Sequence, residues 1–77
     1  MYLDKVKEGS YIVAGVKTGD SETDDFLFRL GLYEGEEIVL VNKKKKIMII
    51  SVKDARYCID AKLASRISLK ENGGKEK

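Results

Sequence analysis

The sequence predicts a mainly β fold, a small and partly closed barrel of about five short strands with one short helix inserted after the first strand. Short runs of alternating apolar residues recur between tight polar turns, as expected for strands that are half buried. In residues 26–38, FLFRLGLYEGEEI, the pattern changes from helical spacing to an extended run. Two glycines, Gly31 and Gly35, mark the change from helix to strand.

The helix is predicted over roughly residues 24–30. Ser21 or Thr23 is the expected N-cap, and the acidic residues around them suit the positive end of a helix dipole. Three apolar residues of this segment fall on one side of a helix. They are Phe26, Leu27 and Leu30.

The helix is expected to end at a glycine corner. Gly31 suits a left-handed C-terminal cap because it has no Cβ to clash. Leu32 directly after it is placed to make the hydrophobic contact that often accompanies such a cap. Gly35 offers a second turn before the next strand begins.

The five strands are predicted over residues 11–16, 38–41, 47–52, 55–59 and 66–69. The second and third form a hairpin whose tip is wholly polar, and Lys53 and Asp54 form the next turn. Asp60 is expected to cap a helical turn over residues 61–64, just before the last strand. Residues 1–70 therefore form one domain, and residues 71–77, which lack apolar side chains, form a disordered tail.

Composition excludes several classes of function. The chain has no histidine and one cysteine, Cys58, which lies in an apolar stretch and is expected to be a buried structural thiol. No phosphate-binding glycine loop is present, and the acidic residues after Gly19 lack the spacing of a calcium loop. We therefore expect no enzyme, no catalytic residue, no cofactor and no bound metal.

The sequence also predicts where the protein is found. No secretory signal is visible, and the longest aliphatic runs span four residues, far short of the ~20 that cross a bilayer. We expect a cytoplasmic protein without membrane insertion.

One run of charge stands out at the tip of the predicted hairpin. It consists of Lys43, Lys44, Lys45 and Lys46. Such lysines keep neighbouring strand edges soluble. They could instead contact an acidic protein, a membrane surface or the phosphates of a nucleic acid. No aromatic residues interleave with them, so a platform for stacking bases is not indicated and nucleic acid is not the expected partner.

The glycine corner resembles a known family. Residues 27–35, LFRLGLYEG, are similar to the L-x-x-L/M-G-L/I-x-x-G core of FeoA proteins, small cytosolic components of bacterial ferrous iron transport systems. Residues 6–16 and 55–69 resemble the opening and closing strands of that family, so the likeness covers nearly all of the predicted domain.

The resemblance implies an SH3-like β-barrel and an accessory role in ferrous iron uptake. The implied partner is the membrane transporter FeoB, whose cytosolic part is a GTP-binding domain. We expect Phe28 and Tyr33 to be anchors on the partner surface, because aromatic residues in such positions often act as hot spots. Five residues would hold the corner's shape without touching the partner. They are Leu27, Leu30, Gly31, Leu32 and Gly35.

Two further interpretations remain open. SH3-like barrels also occur as nucleic-acid-binding modules and as domains of metal-dependent regulators, and here such a module would use the lysine hairpin. The regulator would also need a helix-turn-helix. Weak self-association is a separate expectation, favoured if Met48 or Ile50 lies on an outer face.

Overall fold

The computed structural model describes residues 1–72, which form a single five-stranded antiparallel sheet with two helices. A short 3₁₀ turn at Leu3–Lys5 precedes the first strand. The elements that follow are β1 (Gly9–Val16), α1 (Ser21–Leu30), β2 (Glu37–Lys43), β3 (Ile47–Val52), β4 (Ala55–Asp60), α2 (Ala61–Ala64) and β5 (Ile67–Glu71). The strand order in the sheet is β4-β3-β2-β1-β5. The predicted mainly β fold, with an inserted helix and a helical turn before the last strand, is confirmed.

The barrel is not closed by hydrogen bonds, so β4 and β5 are the two edges of the sheet. The edge at β5 is covered in part by the N-terminus. The backbone N–H of Leu69 donates to the carbonyl of Met1 at 2.6 Å, and Tyr2 forms an isolated bridge with Ser68.

The last strand extends one residue past the predicted domain boundary at residue 70. β5 ends at Glu71, and the side-chain amide of Asn72 donates to the hydroxyl of Ser10 at 3.2 Å and to the carboxylate of Glu37 at 3.1 Å. Cross-strand hydrogen bonds therefore hold the first two residues of the predicted tail. The rest of that tail, residues 73–77, lies outside the described residues.

The core consists of thirteen buried apolar side chains drawn from every element of the fold. They are Leu3, Val13, Leu27, Leu32, Ile38, Leu40, Met48, Ile50, Val52, Ile59, Ala64, Ile67 and Leu69. Met48 and Ile50 are both buried, so the condition that would favour self-association, either residue on an outer face, is not met. Side chains alternate between the faces of a strand, and β3 directs Met48, Ile50 and Val52 inward.

The same alternation corrects the prediction for Cys58, which is exposed and not buried. Its neighbours in β4 differ, since Ile59 is buried and Tyr57 packs against the core. A strand that turns Tyr57 and Ile59 inward must turn Cys58 outward.

Helix α1 begins at Ser21, earlier than predicted, with Asp20 as the N-cap residue. Only Leu27 of this helix is fully buried. Phe26, expected on the inner side, is 56% exposed. The helix contacts the barrel along a narrow face, on which Leu27 is buried and Leu30 is partly buried against the core. Phe26, one position before Leu27, points past the sheet.

Neither helix in residues 1–72 combines the length and the apolar character that crossing a membrane requires.

Candidate functional site

The corner at the end of α1 is built by a glycine-terminated cap. Gly31 has φ +109°, a left-handed conformation that side chains rarely adopt. The N–H of Leu32 donates to the carbonyl of Leu27 at 2.9 Å, and the N–H of Gly31 donates to that of Phe28 at 3.0 Å. This is the Schellman pattern, and the buried pair Leu27 and Leu32 supplies its usual hydrophobic contact. The predicted cap is confirmed.

A second turn connects the cap to the sheet. The N–H of Glu36 donates to the carbonyl of Tyr33 at 3.1 Å, and Gly35 has φ +93° at the third position of this turn. Gly35 N–H donates to the carbonyl of Val13 at 2.8 Å, and Val13 N–H donates to that of Glu36 at 2.9 Å. These bonds fasten the corner to β1, so its side chains are held by a rigid backbone.

The corner presents two aromatic rings side by side. The ring centroids of Phe28 and Tyr33 lie 4.9 Å apart, with 43° between the ring planes. Phe28 is 60% exposed, the highest value among the large apolar side chains described, while Tyr33 is half-buried. The structure thus brings together the two residues that the sequence nominated separately.

A lysine that the sequence did not single out completes this surface. The Lys53 ammonium lies 5.5 Å from the centroid of the Tyr33 ring, and its Nζ is 3.3 Å from Oε1 of Glu36. The side chain of Tyr33, and then the Glu36 carboxylate, raise the pKa of Lys53 above its ordinary value. We call the surface formed by Phe28, Tyr33, Glu36 and Lys53 the aromatic corner.

Sequence reasoning placed Lys53 only in a turn, and the turn explains its position. Lys53 and Asp54 both have positive φ, 49° and 68°, and join β3 to β4 as a tight two-residue hairpin. This hairpin packs against the end of α1. Because the contact joins residues about twenty positions apart, no local pattern signals it.

The four lysines of the hairpin tip lie elsewhere. The tip joins β2 to β3 before Ile47, whereas Lys53 follows Val52 at the other end of β3. Six residues of strand separate the two ends by ~17 Å. Lys43 belongs to β2, and its Nζ donates to the carbonyl of Val6 at 2.8 Å. The lysine run and the aromatic corner are therefore separate surfaces.

An acidic residue in the first turn of α1 fastens the loop that precedes the helix. The Asp24 carboxylate accepts hydrogen bonds from the hydroxyl of Thr18 at 2.7 Å and from its N–H at 2.9 Å. These two bonds lower the pKa of Asp24. Within residues 1–72, no three histidine, cysteine or acidic side chains gather where they could hold a metal ion.

The described residues define a small β module, in which an open five-stranded antiparallel sheet carries an inserted helix and an exposed aromatic corner. Residues 1–71 match the model of the FeoA domain. The chain therefore belongs to the FeoA family.

Solved structures agree with this assignment. The FeoA protein of Chlorobium tepidum has a TM-score of 0.86 at 17% identity, over 97% of this chain and 73% of that one. The zinc-complexed FeoA of Stenotrophomonas maltophilia has a TM-score of 0.80 at 22% identity, over 91% and 89%. That protein is described as an SH3 domain protein and a candidate activating factor of ferrous iron transport. The SH3-like fold is confirmed.

The fold also matches part of a longer protein. A manganese-dependent transcriptional repressor has a TM-score of 0.81 at 11% identity, and the match covers 92% of this chain but 41% of that one. A search of curated proteins found no significant match.

Proposed function

We propose that this protein is a non-enzymatic, cytoplasmic accessory protein of ferrous iron uptake that docks on the cytosolic, GTP-binding part of a FeoB-type transporter. Membership of the FeoA family supports the role in iron uptake. The description of the Stenotrophomonas maltophilia relative as a candidate activating factor supports an action on a transporter. Docking by the aromatic corner is the specific mechanism that we propose.

The observation that carries this proposal is the exposed Phe28 ring resting against Tyr33. Burying an exposed aromatic side chain removes a large apolar area from water, and such residues dominate the binding energy of many interfaces. The Tyr33 ring limits the freedom of Phe28 before any partner arrives. Less conformational entropy is then lost on binding.

Charges at the edge of the corner complete a typical interface. Lys53 and Glu36 form an ion pair beside the two rings. An apolar centre with a polar rim is the usual anatomy of a protein–protein contact. The ion pair would contribute more to orientation than to affinity, because exposed pairs are worth little.

The test is a binding assay with the purified cytosolic domain of the transporter, in GTP, in GDP and without nucleotide. We expect binding in at least one state, and we expect Phe28→Ala and Tyr33→Ala to weaken it by at least about tenfold. Phe26→Ala is the matched control. It removes a phenylalanine of similar exposure from the same helix, two residues from Phe28.

The outcomes of this assay test the proposed docking surface separately from the proposed accessory role. If both corner variants stay folded and bind as tightly as the unmodified protein, the corner is not the docking surface. If the unmodified protein binds in no nucleotide state and its deletion leaves ferrous uptake normal, the accessory role itself is wrong. Equal losses from Phe26→Ala and Phe28→Ala would point to the whole helix as the contact.

A further inference from the structure

The end of the molecule opposite the aromatic corner gathers lysines from three separate segments. Lys43 joins the N-terminal segment to the hairpin tip through two hydrogen bonds. Its Nζ donates to the carbonyl of Val6 at 2.8 Å, and its N–H donates to Oε2 of Glu8 at 3.1 Å. A cleft of about 530 Å³ between the two segments is lined by Lys5, Lys7 and Lys43.

A second backbone hydrogen bond brings α2 to the same tip. The N–H of Ala61 donates to the carbonyl of Lys46 at 2.8 Å. Lys62 follows directly in the exposed part of α2. We call the resulting exposed set of side chains the lysine end. It consists of Lys5, Lys7, Lys44, Lys45, Lys46 and Lys62.

The positive charge of the lysine end is not cancelled by ion pairs. In the part of the chain that the structure describes, the one salt bridge joins Lys53 and Glu36 at the other end of β3. Two acids, Glu8 and Glu71, line the cleft beside the lysines, and Asp60 caps α2 by accepting from the N–H of Leu63. Asp4 lies in the same N-terminal segment. The six lysines together with Lys43 therefore stand against four acids, which leaves a net positive surface.

Apolar side chains accompany these lysines. Ile47, the residue after the tip, is 41% exposed, and Met1, which lines the cleft, is 47% exposed. Aromatic rings for stacking bases are missing from the tip, and the hydroxyl of the nearby Tyr11 donates to the carbonyl of Lys7. Lysines mixed with exposed aliphatic side chains suit a lipid interface better than single-stranded nucleic acid.

We propose that the lysine end binds the surface of an anionic lipid bilayer, without insertion. Clusters of four to eight basic residues are attracted to anionic headgroups. The aromatic corner lies ~17 Å away along β3 and stays free on the far side. The protein would therefore sit on the membrane with its corner facing a partner that projects from it, although lipid binding does not depend on the proposed docking.

The test is co-sedimentation of the full chain with vesicles of phosphatidylcholine alone or mixed with phosphatidylglycerol, at low and at physiological salt. We expect binding to the anionic vesicles only, weakening as salt rises. A variant with Lys44, Lys45 and Lys46 all changed to Gln should bind roughly 100-fold more weakly, at about fivefold per lysine. The tip side chains make no hydrogen bond in the described structure beyond those of Lys43, so this variant should fold normally.

A variant with Arg29 and Arg56 changed to Gln is the control, because it removes two charges at the other end of the molecule. Arg29 lies in the last turn of α1, and Arg56 pairs with Ser51 near the β3–β4 turn. It should bind the vesicles within about threefold of the unmodified protein, since distant charges are screened. Equal losses from both variants, or no binding to anionic vesicles at low salt, would overturn the proposal. Tighter binding of a single-stranded RNA than of the vesicles at the same salt would also overturn it, in favour of a nucleic acid.

Discussion

Gly31 lies directly against Val52, although one ends a helix and the other ends a strand. A Cβ added to Gly31 would stand 2.9 Å from Cγ1 of Val52, closer than real Cβ atoms approach. It would also lie 3.1 Å and 3.2 Å from Cδ and Cγ of Lys53. The close approach places the β3–β4 turn under the corner, and this is why Lys53 reaches Tyr33.

Gly31→Ala should therefore be strongly destabilising. Alanine at a φ of +109° is strained, and its methyl group would push Val52 out of the core. We expect the free energy of unfolding to fall by about 2–4 kcal/mol. Urea denaturation followed by circular dichroism measures this change.

Gly19→Ala is the control for that prediction, because Gly19 has φ +87° but open space around its Cβ position. Its free energy of unfolding should fall only by the cost of a left-handed backbone at alanine, about 1 kcal/mol. Similar losses of unfolding free energy in Gly31→Ala and Gly19→Ala would show that crowding against Val52 does not affect stability.

The Phe28 and Tyr33 rings should stabilise each other. Pairs of aromatic rings at such distances contribute about 0.5–1.5 kcal/mol beyond their buried area. A double-mutant cycle with Phe28→Ala, Tyr33→Ala and the double variant measures this coupling in the free energy of unfolding. The cycle of Phe26→Ala with Tyr33→Ala should give no coupling, and a coupling near zero in both would mean that the ring contact is not formed in solution.

The Lys53 contacts should make stability depend on alkaline pH. The pKa of Lys53 is raised above its ordinary 10.5, so the folded state holds this proton more tightly than the unfolded state. The resulting stabilisation is fully present below the ordinary value and is lost as pH rises through the folded value. The stability difference between the unmodified protein and Lys53→Gln should thus be constant near neutrality and shrink at strongly alkaline pH.

Denaturation of the unmodified protein and of Lys53→Gln at several pH values measures this difference in the free energy of unfolding. A difference that stays constant up to strongly alkaline pH would contradict the role assigned to Lys53.

Cys58 should react as a free surface thiol. It is exposed on the outer side of β4, so a thiol reagent should label the native protein about as fast as the unfolded one. Cys58→Ser should change the free energy of unfolding by less than about 0.5 kcal/mol, as surface substitutions usually do. Labelling of Cys58 only in the unfolded protein would show that the thiol is buried in the native state.

Local patterns determined a large part of this protein. The spacing of Leu27, Gly31 and Gly35 predicted the helix end, the left-handed cap and the second turn, because capping depends on neighbouring residues and on the missing glycine Cβ. The strand over Ile47–Val52 and the cap by Asp60 were also predictable, since both follow from short-range alternation and side-chain geometry. The family, too, was recognisable from the order and spacing of these patterns.

Other features depend on tertiary contacts, which the sequence patterns did not show. Alternation of apolar residues marks a strand but does not say which of its faces points inward. This is why the sequence left the face of Met48 open and assigned Cys58 to the wrong side. The exposure of Phe26 follows from the narrow contact between α1 and the barrel. Tertiary contacts across the sheet likewise set Lys53 beside Tyr33 and collected the six lysines at one end, because those neighbours are far apart along the chain.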